Sequence, residues 1–331
     1  MELLTALSNA ISSKLPLLIL LTAMATYFSP VYLKTASWIP SLLLGIVIFF
    51  TGISMNVSAI KDIRTKKREL LLTALLKWTI TVIISIALAY LFFSSNPEIM
   101  AGIILSGTVP SATAATLYTF LAGGNTSLVI ASSLIDIAFS PIVTPLSMLG
   151  ISETNVSISF FSLLRSFMMI VVIPLGAGII IQRLYPKSVN YSKNITKLGS
   201  SLSLLLIIHT LVGNGKEAIS LELGIIPLIA LASFIQIVFP MIAGYFIAKK
   251  LSVNEADARA ILFQVGLCNT ALASILAFEF IGELAAIAPI INMIINLSVG
   301  AQIANYFAKK VIVETENLEA IPQIEQLSEN G

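Results

Sequence analysis

Long apolar runs recur along almost the whole chain, and they constrain its fold more than any other feature. Each run is about 20 residues long, which is the length of helix that crosses the hydrocarbon core of a bilayer. Of the 331 residues, 57% are hydrophobic and only 11% are charged, whereas soluble domains carry about 25% charged residues. A membrane β-barrel would instead show short alternating segments. The sequence therefore predicts an all-α membrane protein.

The apolar runs define ten predicted transmembrane helices. They cover residues 16–33, 38–57, 69–94, 98–122, 126–149, 158–182, 196–213, 222–248, 256–281 and 284–308. The first run follows Lys14, as the apolar part of a signal peptide would, but it has a counterpart in the second half of the chain and we expect it to be retained. Residues 1–310 are predicted to form a single transmembrane unit, and the polar, acidic segment 311–331 a disordered cytoplasmic tail.

Two of these runs are interrupted in the middle. Pro110 divides the fourth run, because proline has no N–H to donate and disfavours helix in the residue before it. The segment 264–270 divides the ninth run. An interrupted helix leaves backbone groups unpaired at membrane depth, which is tolerated only against protein or a water-filled cavity. Paired breaks of this kind are typical of binding sites in secondary transporters, and two kinked helices without such a role are the alternative.

Basic residues indicate how the chain is oriented. Four clusters fall on the same side of a ten-helix arrangement, close to the ends of the second, sixth, eighth and tenth spans. They are Lys61, Arg64, Lys66, Lys67 and Arg68; Arg183, Lys187, Lys193 and Lys197; Lys249 and Lys250; and Lys309 and Lys310. Because basic loops are retained in the cytoplasm, this side is predicted to be cytoplasmic, with both termini inside.

The two halves of the chain share their layout, since the broken helix is the fourth of five in each half. Five is an odd number of crossings, so the second set of five must enter the membrane in the opposite orientation. The pattern predicts two inverted five-helix repeats, with discontinuous crossing helices 4 and 9 and a site near the bilayer midplane where the breaks meet. A channel needs no such pairing.

Composition excludes several other classes of protein. The net charge of +2 is too small to indicate a nucleic-acid-binding surface. Cys268 is the only cysteine, which excludes a disulfide framework and a cysteine-built metal site, and His209 is the only histidine. The sequence has no visible nucleophile–base pair or metal-ligating constellation for an intramembrane enzyme. We therefore predict a protein that is not an enzyme and has no bound cofactor.

Three sequence motifs resemble the bile acid:sodium symporter family. The first is PSATAAT at 110–116, together with TFLAGGN at 119–125 and SPIVTP at 140–145. The second is QVGLCNTALA at 264–273, and the third is the run Asn296-Leu297-Ser298. The likeness extends over all ten predicted spans.

The resemblance implies a fold of two domains. These are a core domain of residues 69–149 and 222–308, which carries the crossed helices, and a panel domain of residues 16–57 and 158–213. It also implies that a small organic anion, either bile acid or steroid-like or pantoate-like, binds between the two domains. A bacterial protein of this family is expected in the inner (cell) membrane. Members bind two sodium ions through a glutamate, an asparagine, a glutamine and hydroxyl groups.

The positions that match these sodium ligands are altered here. Gln264 takes the place of the glutamate, and Lys77 takes the place of the glutamine. The other matching positions hold Thr116 for the asparagine, Ala115 for a preceding serine, and Val129 and Ser133 for two hydroxyl residues, of which only Ser133 keeps its hydroxyl. Because the set has lost a carboxylate and gained an ammonium group, sodium coupling is expected to be lost or altered.

Two charged residues are predicted inside the membrane. Lys77 and Asp136 lie about eight and ten residues into their spans, which at ~1.5 Å per residue is roughly 12 and 15 Å deep. A lone charge there costs on the order of 2.5–3.5 kcal/mol on insertion scales. We expect the Lys77 ammonium to replace one sodium ion, with Asp136 as its counter-charge, and either group could carry a coupling proton. The alternatives are that Lys77 reaches back toward the cytoplasmic surface, and that Asp136 accepts structural hydrogen bonds from Ser132 or Ser133.

The sequence thus predicts a secondary transporter that moves a small organic anion by alternating access. A half-helix that begins near Ser111 presents free N–H groups and a positive dipole end, which attract a carboxylate. The predicted substrate-binding residues are Thr113, Thr116, Asn269, Thr270 and Asn296, and the altered ion site comprises Lys77, Asp136, Ser133, Gln264 and Ala115. The expected partners are the anion and the lipid bilayer, with sodium and a proton as the open choices of coupling ion. A conventional sodium symporter and a receptor or channel-like protein without transport are the alternatives.

Overall fold

The structure is a computed structural model, and it describes residues 11, 14–32, 36, 38–55, 65–149 and 159–329. Its helices are numbered here to follow the predicted spans. They are α1 (Leu15–Phe28), α2 (Ile39–Ser54), α3 (Lys67–Phe93), α4a (Pro97–Thr108), α4b (Ala114–Leu121), α5 (Thr126–Met148), α6 (Phe160–Leu184), α7 (Ser188–Asn214), α8 (Ile226–Lys250), α9a (Glu255–Gly266), α9b (Thr270–Phe280) and α10 (Glu283–Glu329). A six-residue helix, Lys216–Leu221, connects α7 to α8. Parts of the first two predicted spans and of the first basic loop, at 33–35, 37 and 56–64, lie outside the described residues.

The described part of the chain is helical and apolar, as the sequence predicts, and it contains no β-strand beyond one isolated bridge. Five of its helices are long and apolar enough to cross a membrane. They are Lys67–Phe93, Thr126–Met148, Phe160–Leu184, Leu223–Lys250 and Glu283–Lys310. Large apolar side chains such as Leu91, Phe120 and Phe161 remain exposed, which suits a surface that faces lipid. The prediction of an all-α membrane protein is therefore confirmed.

The fourth and ninth predicted spans are both interrupted, at the places where the sequence predicts breaks. α4a ends at Thr108, and Val109 before Pro110 has extended backbone, with φ −78° and ψ 163°, as expected for a residue that precedes proline. The ninth span has no proline at its break, and there Leu267 is extended, with φ −97° and ψ 112°. The side chain of Asn269 then caps α9b by accepting a hydrogen bond from the Leu272 N–H at 3.2 Å.

Two helices that remain continuous contain a local irregularity. α3 has a π-helical turn at Lys77–Thr81, and α6 has one at Met168–Val172. A π turn adds one residue to a turn of helix, so it changes the direction in which the following side chains point, and it is frequent at functional sites. In α3 this turn begins at Lys77, the residue that the sequence analysis assigns to the altered ion site.

Helices pack in two groups. In the first group α2 contacts α6 and α7, and α1 contacts α7. Close approach of α2 and α6 is possible because Gly52 and Gly178 face each other, and a Cβ on Gly178 would lie 2.2 Å from the Phe49 carbonyl oxygen. Small residues serve this purpose in many membrane helix pairs. In the second group α3, α4, α5, α8, α9 and α10 pack around the two breaks.

Helix α10 is assigned as far as Glu329. The expectation that the polar, acidic segment 311–331 is a disordered cytoplasmic tail stays a prediction.

Candidate functional site

The two helix breaks cross and pair with each other through their backbones. Ala112 donates its N–H to the Leu267 carbonyl oxygen at 3.0 Å, and Asn269 donates to the Pro110 carbonyl oxygen at 2.8 Å. Between these two bonds, Ser111 and Cys268 face each other as an antiparallel bridge. The breaks thus satisfy part of each other's backbone, which neither could satisfy in lipid.

Side chains from neighbouring helices satisfy further carbonyl groups that the breaks leave free. Thr81 of α3 donates to the Val265 carbonyl oxygen at 2.7 Å, and Thr144 of α5 donates to the Thr108 carbonyl oxygen at 2.5 Å. Asn296 of α10 donates to the Cys268 carbonyl oxygen at 2.7 Å. The crossing is therefore held by three helices of the surrounding group.

Asp136 of α5 lies directly beside this crossing and is fully buried. Its carboxylate accepts hydrogen bonds from Trp78 Nε1 at 3.0 Å, from the Ser111 hydroxyl at 2.5 Å and from Gln264 Nε2 at 2.9 Å. These donors come from α3, the first break and α9a. Ser133, one turn away on α5, is 3.3 Å from Gln264 Nε2. The three neutral donors offset the desolvation of the carboxylate, as a buried charge requires.

Lys77 of α3 is also fully buried, so it does not reach back to the surface. Its Nζ is 2.7 Å from Cys268 Sγ in the second break. None of the ion pairs within 4.0 Å that the described residues form joins Lys77 to Asp136. The two charges therefore interact without direct contact, and the role of Asp136 as the counter-charge of Lys77 stays a prediction. The two charges flank the Ser111–Cys268 bridge, one on each partner.

A cavity of about 420 Å³ opens beside the crossing, between the two groups of helices. At its inner end it is lined by the breaks and by Asn296 and Met293 of α10. Leu44, Val47 and Ile48 of α2 form much of the opposite wall. It extends to Leu15 and Pro16 at the start of α1, and to Ser200 and Ser201 of α7, Leu121 of α4b and Asn305 of α10. A cavity of this size and largely apolar lining is suited to a small organic molecule.

The structure brings most of the predicted substrate-binding residues to this cavity. Thr113, Asn269, Thr270 and Asn296 all line it. Thr116 does not line it and is half-buried one turn further along α4b. Of the predicted ion-site residues, Lys77, Asp136, Ser133 and Gln264 form the charged cluster behind the crossing, and Ala115 is fully buried near it.

Sequence reasoning missed three members of this cluster. Trp78 and Ser111 were not expected as donors to Asp136, and Cys268 was not expected to contact Lys77. The π turn at Lys77–Thr81 changes side-chain directions along α3 in a way that regular helical spacing does not predict. Ser111 could have been suspected from its place immediately after Pro110.

A second polar network, formed by residues of α3, α4a, α8 and α10, was also missed. Gln236 of α8 donates to the Ser85 hydroxyl at 2.7 Å and to the Ile103 carbonyl oxygen at 2.8 Å, and it accepts from Asn292 of α10 at 2.8 Å. The position of each residue along its helix was the signal in the sequence that could have pointed to Gln236. Lys77 lies ten residues after Lys67 at the start of α3, and Gln236 lies ten residues after Ile226 at the start of α8. The network is uncharged, in contrast to the cluster around Lys77 and Asp136.

Polar contacts also join the end of α4b to the start of α9a, on the side of the molecule where the basic clusters lie. Asn125 donates its N–H to the Ala256 carbonyl oxygen at 2.9 Å and its side-chain amide to Asp257 at 2.6 Å. Lys66 forms an ion pair with the same buried Asp257, and Arg259 donates to the Ala122 carbonyl oxygen at 2.7 Å. The far ends of the two broken helices are thus tied together as well as their centres.

Glu255, at the first position of α9a, is the acidic centre of a neighbouring surface cluster. It pairs with Lys249 at 3.0 Å and with Arg259 at 2.9 Å, and it accepts from the Tyr245 hydroxyl at 2.9 Å. Partial burial by itself raises the pKa of this carboxyl, but the hydrogen bonds from Lys249, Arg259 and Tyr245 outweigh it and lower the pKa to about 2. The carboxylate is therefore charged at neutral pH and holds the end of α8 to the start of α9a.

Crossed, discontinuous helices beside a cavity are characteristic of the helical membrane transporters. Comparison with known proteins agrees. Residues 41–222 match the family described as the Sodium Bile acid symporter family. The chain is similar to the "Uncharacterized sodium-dependent transporter YocS" of Bacillus subtilis (strain 168), with 30% identity over 280 residues, which is 83% of this chain and 85% of the relative.

Plant relatives are more distant but cover more of the chain. The "Probable sodium/metabolite cotransporter BASS1, chloroplastic" of Arabidopsis thaliana is 22% identical over 315 residues, or 93% of this chain and 77% of the relative. The corresponding BASS3 protein of Oryza sativa subsp. japonica is 22% identical over 322 residues, or 96% and 75%. The chain belongs to the sodium bile acid symporter family, and like these relatives it is a transporter and not an enzyme.

Proposed function

We propose that this protein is a secondary active transporter that moves a small organic anion across a bacterial cell membrane by alternating access, with sodium coupling lost or altered. The observation that carries the proposal is the backbone-paired crossing of two helix breaks at the end of a cavity of about 420 Å³. Crossed half-helices at a cavity are the arrangement by which many secondary transporters bind substrate at mid-membrane.

The half-helices suit an anion. α4b and α9b both begin at the crossing, and their N-termini carry partial positive charge. Thr113, Asn269 and Thr270 lie at these two N-termini and line the cavity. A carboxylate at the crossing would thus meet hydroxyl and amide groups, while an apolar body would lie against Leu44 and Ile48 of α2.

The position of the cavity supports an inward-open state. Leu15, Pro16 and Leu121 lie at helix ends on the side of the basic clusters, Ser200 follows the basic residue Lys197, and Asn305 precedes Lys309. With the basic side in the cytoplasm, the cavity opens inward. We propose this orientation together with the ten spans and the inverted repeat. The proposal is supported by the equal positions of Lys77 in α3 and Gln236 in α8, each ten residues after the start of its helix.

The charged cluster favours an altered coupling mechanism. A sodium site with Gln264 for the glutamate and Lys77 for the glutamine has no carboxylate from α9a and already contains one positive charge. We propose that the Lys77 ammonium provides the charge that one sodium ion provides in relatives. Asp136, which is buried at the crossing, is then the candidate for a coupling proton.

Transport into proteoliposomes tests this function. Saturable counterflow of a radiolabelled organic acid, found first by a thermal-shift screen, is expected in the wild-type protein under imposed gradients. Uptake should be nearly the same with and without a sodium gradient, because the ammonium cannot be exchanged for sodium. Absence of counterflow for every acid that stabilises the protein would contradict the transport function. Sodium-stimulated uptake that persists in Lys77→Gln would contradict the replacement of sodium by the ammonium.

A conventional sodium symporter is the second candidate, and the printed names of the relatives favour it. One is called a sodium-dependent transporter and two are called sodium/metabolite cotransporters. Backbone carbonyl groups at the crossing, together with Ser133, would then have to supply the ligands. Calorimetry of the purified protein with NaCl, against choline chloride as control, distinguishes the two candidates, because only the symporter gives saturable heat with sodium.

A further inference from the structure

The ammonium group of Lys77 is buried with fewer acceptors than it can use. It has three N–H donors, and its side chain is 0% exposed. Among the residues that the structure describes, its hydrogen-bond partner is the Cys268 thiol, at 2.7 Å. A thiol is a weak acceptor, so this contact compensates the buried charge poorly. A buried cation in this condition favours a negative group nearby.

The neighbouring cavity has a wall without formal charge. None of the described residues that line it is a lysine, arginine, aspartate or glutamate. Cys268 forms part of this wall, and the Lys77 ammonium lies directly behind it. The Lys77 ammonium is therefore separated from the cavity by one residue. The Asp136 carboxylate, which interacts with Lys77, lies behind Ser111, and Ser111 does not line the cavity.

Helix N-termini at the crossing already have some of their donors occupied. In α9b, the Thr270 N–H donates to the Cys268 carbonyl oxygen at 2.9 Å, and the Leu272 N–H donates to the Asn269 side chain at 3.2 Å. In α4b, the Thr116 N–H donates to the Thr113 carbonyl oxygen at 3.2 Å. The dipoles remain, but these donors are not available to an anion. A formal positive charge close to the crossing would therefore be a further source of charge selection at this end of the cavity.

We propose that Lys77 is that source, and that it makes the crossing end of the cavity selective for anions by acting through the Cys268 wall. Lys77 is thus a positioning residue for the negative group of the substrate and does not contact it in this arrangement. The inference rests on the proposed function in one respect, since it takes the cavity to be the substrate site. The selectivity itself belongs to the resting protein and exists without transport.

Cys268 allows a direct measurement, because it is the only cysteine in the chain. Two methanethiosulfonate reagents of similar size are applied to the purified full-length protein, one carrying a sulfonatoethyl group and the other a trimethylammonioethyl group. In both reactions the Cys268 sulfur attacks the sulfenyl sulfur of the reagent and forms a disulfide, methanesulfinate leaves, and the thiol proton passes to solvent. Mass spectrometry of the intact protein follows the rate, and each rate is divided by that of the same reagent with free cysteine.

The normalised ratio of anionic to cationic rates is the readout. Thiol reactivity contributes equally to both rates, so the ratio reports the electrostatic potential at the crossing. We expect a ratio of at least about 10 in the wild-type protein, a value near 1 in Lys77→Met, and a preserved ratio in Lys77→Arg. The control Lys249→Met removes a lysine from the surface cluster and should leave the ratio unchanged.

Three results would overturn the proposal: a wild-type ratio near 1, an undiminished ratio in folded Lys77→Met, or no modification of Cys268 by either reagent. Where Lys77→Met does not fold, Lys77→Gln takes its place, because it removes the charge and keeps a polar side chain, and an undiminished ratio in that variant overturns the proposal equally. Failure of the proposed transport function would appear separately, as absent counterflow in a protein that keeps its anion-selective labelling.

Discussion

Asp136 connects three structural elements through one carboxylate. Its donors Trp78, Ser111 and Gln264 lie on α3, in the first break and on α9a. The sequence predicted similar depths for Lys77 and Asp136, and both contact the crossing, Lys77 at Cys268 and Asp136 at Ser111. Individual partners could not be predicted, because the π turn and the non-helical backbone of the break decide where Trp78 and Ser111 point.

Replacing Asp136 by asparagine should destabilise the protein. An asparagine side chain has one acceptor oxygen, and its NH₂ group would face donors, so at least one of the three buried donors would lose its partner. The loss of such a partner costs about 1–3 kcal/mol. Thermal unfolding in detergent measures the effect, and we expect a clear decrease in the melting temperature of Asp136→Asn.

Ser132→Ala is the matched control for this substitution. Ser132 lies one turn away on the same helix and is equally buried, and its hydroxyl has no hydrogen-bond partner in the part of the chain that the structure describes. Its replacement should leave the melting temperature nearly unchanged. Equal melting temperatures for Asp136→Asn and the wild type would show that the three hydrogen bonds contribute nothing to stability.

The two broken helices differ in how well their sequences predict them. Pro110 fixes the break in α4, whereas the break in α9 was predicted from its polar residues and its place in the second half of the chain. How the half-helices rotate about the breaks is determined by packing and not by local sequence. For this reason Thr113 and Asn269 reach the cavity as predicted, and Thr116 does not.

Gly266 marks a close contact at the end of α9a. A Cβ at this position would lie 1.9 Å from Met241 Cγ and 2.9 Å from the Ile237 carbonyl oxygen on α8. Gly266→Ala should therefore push α9a away from α8 and destabilise the protein by about 1–3 kcal/mol, the usual cost of overpacking. It should also weaken transport, because the second break follows immediately.

Gly176→Ala provides the comparison within a helix. Gly176 lies in α6, where a Cβ would meet no atom within 4 Å, and alanine is favoured over glycine in a helix by about 0.5–1 kcal/mol. This variant should melt at or above the wild-type temperature. If both variants melt alike, the close approach of α8 and α9a is not what requires glycine at 266.

At the scale of the whole molecule, composition and run length predicted the fold class, and the apolar exterior confirms it. The sequence could not predict that ion pairs such as Glu255–Lys249 would join the ends of α8 and α9a, since long side chains on a surface can find several partners.

The stability of the protein should depend on pH through Glu255. Its pKa is lowered to about 2 in the folded state from an ordinary value near 4.5. A carboxyl group with a lowered pKa contributes stability above its unfolded pKa and loses that contribution as the pH falls through the folded pKa. We expect thermal stability to fall between about pH 4.5 and pH 2, and Glu255→Gln to reduce this dependence.

Glu222→Gln serves as the control for the pH experiment, because Glu222 takes part in none of the ion pairs formed by the described residues. This variant should retain the acid-induced loss of stability seen in the wild type. A pH profile of Glu255→Gln that coincides with the wild-type profile would mean that other carboxyl groups dominate acid unfolding. Because Glu255 is about one-third exposed, salt should weaken its contribution.

The Ser111–Cys268 bridge limits how a substrate can pass through the protein. Since the two breaks are joined backbone to backbone, they cannot separate to form a pore without giving up the two hydrogen bonds between them. Under the proposed alternating access, the substrate would instead pass around the crossing, along the cavity that residues of α2 and α7 line. The joined breaks would then move together as one rigid unit and stay closed at their centre, while the cavity beside them opens to the other side of the membrane.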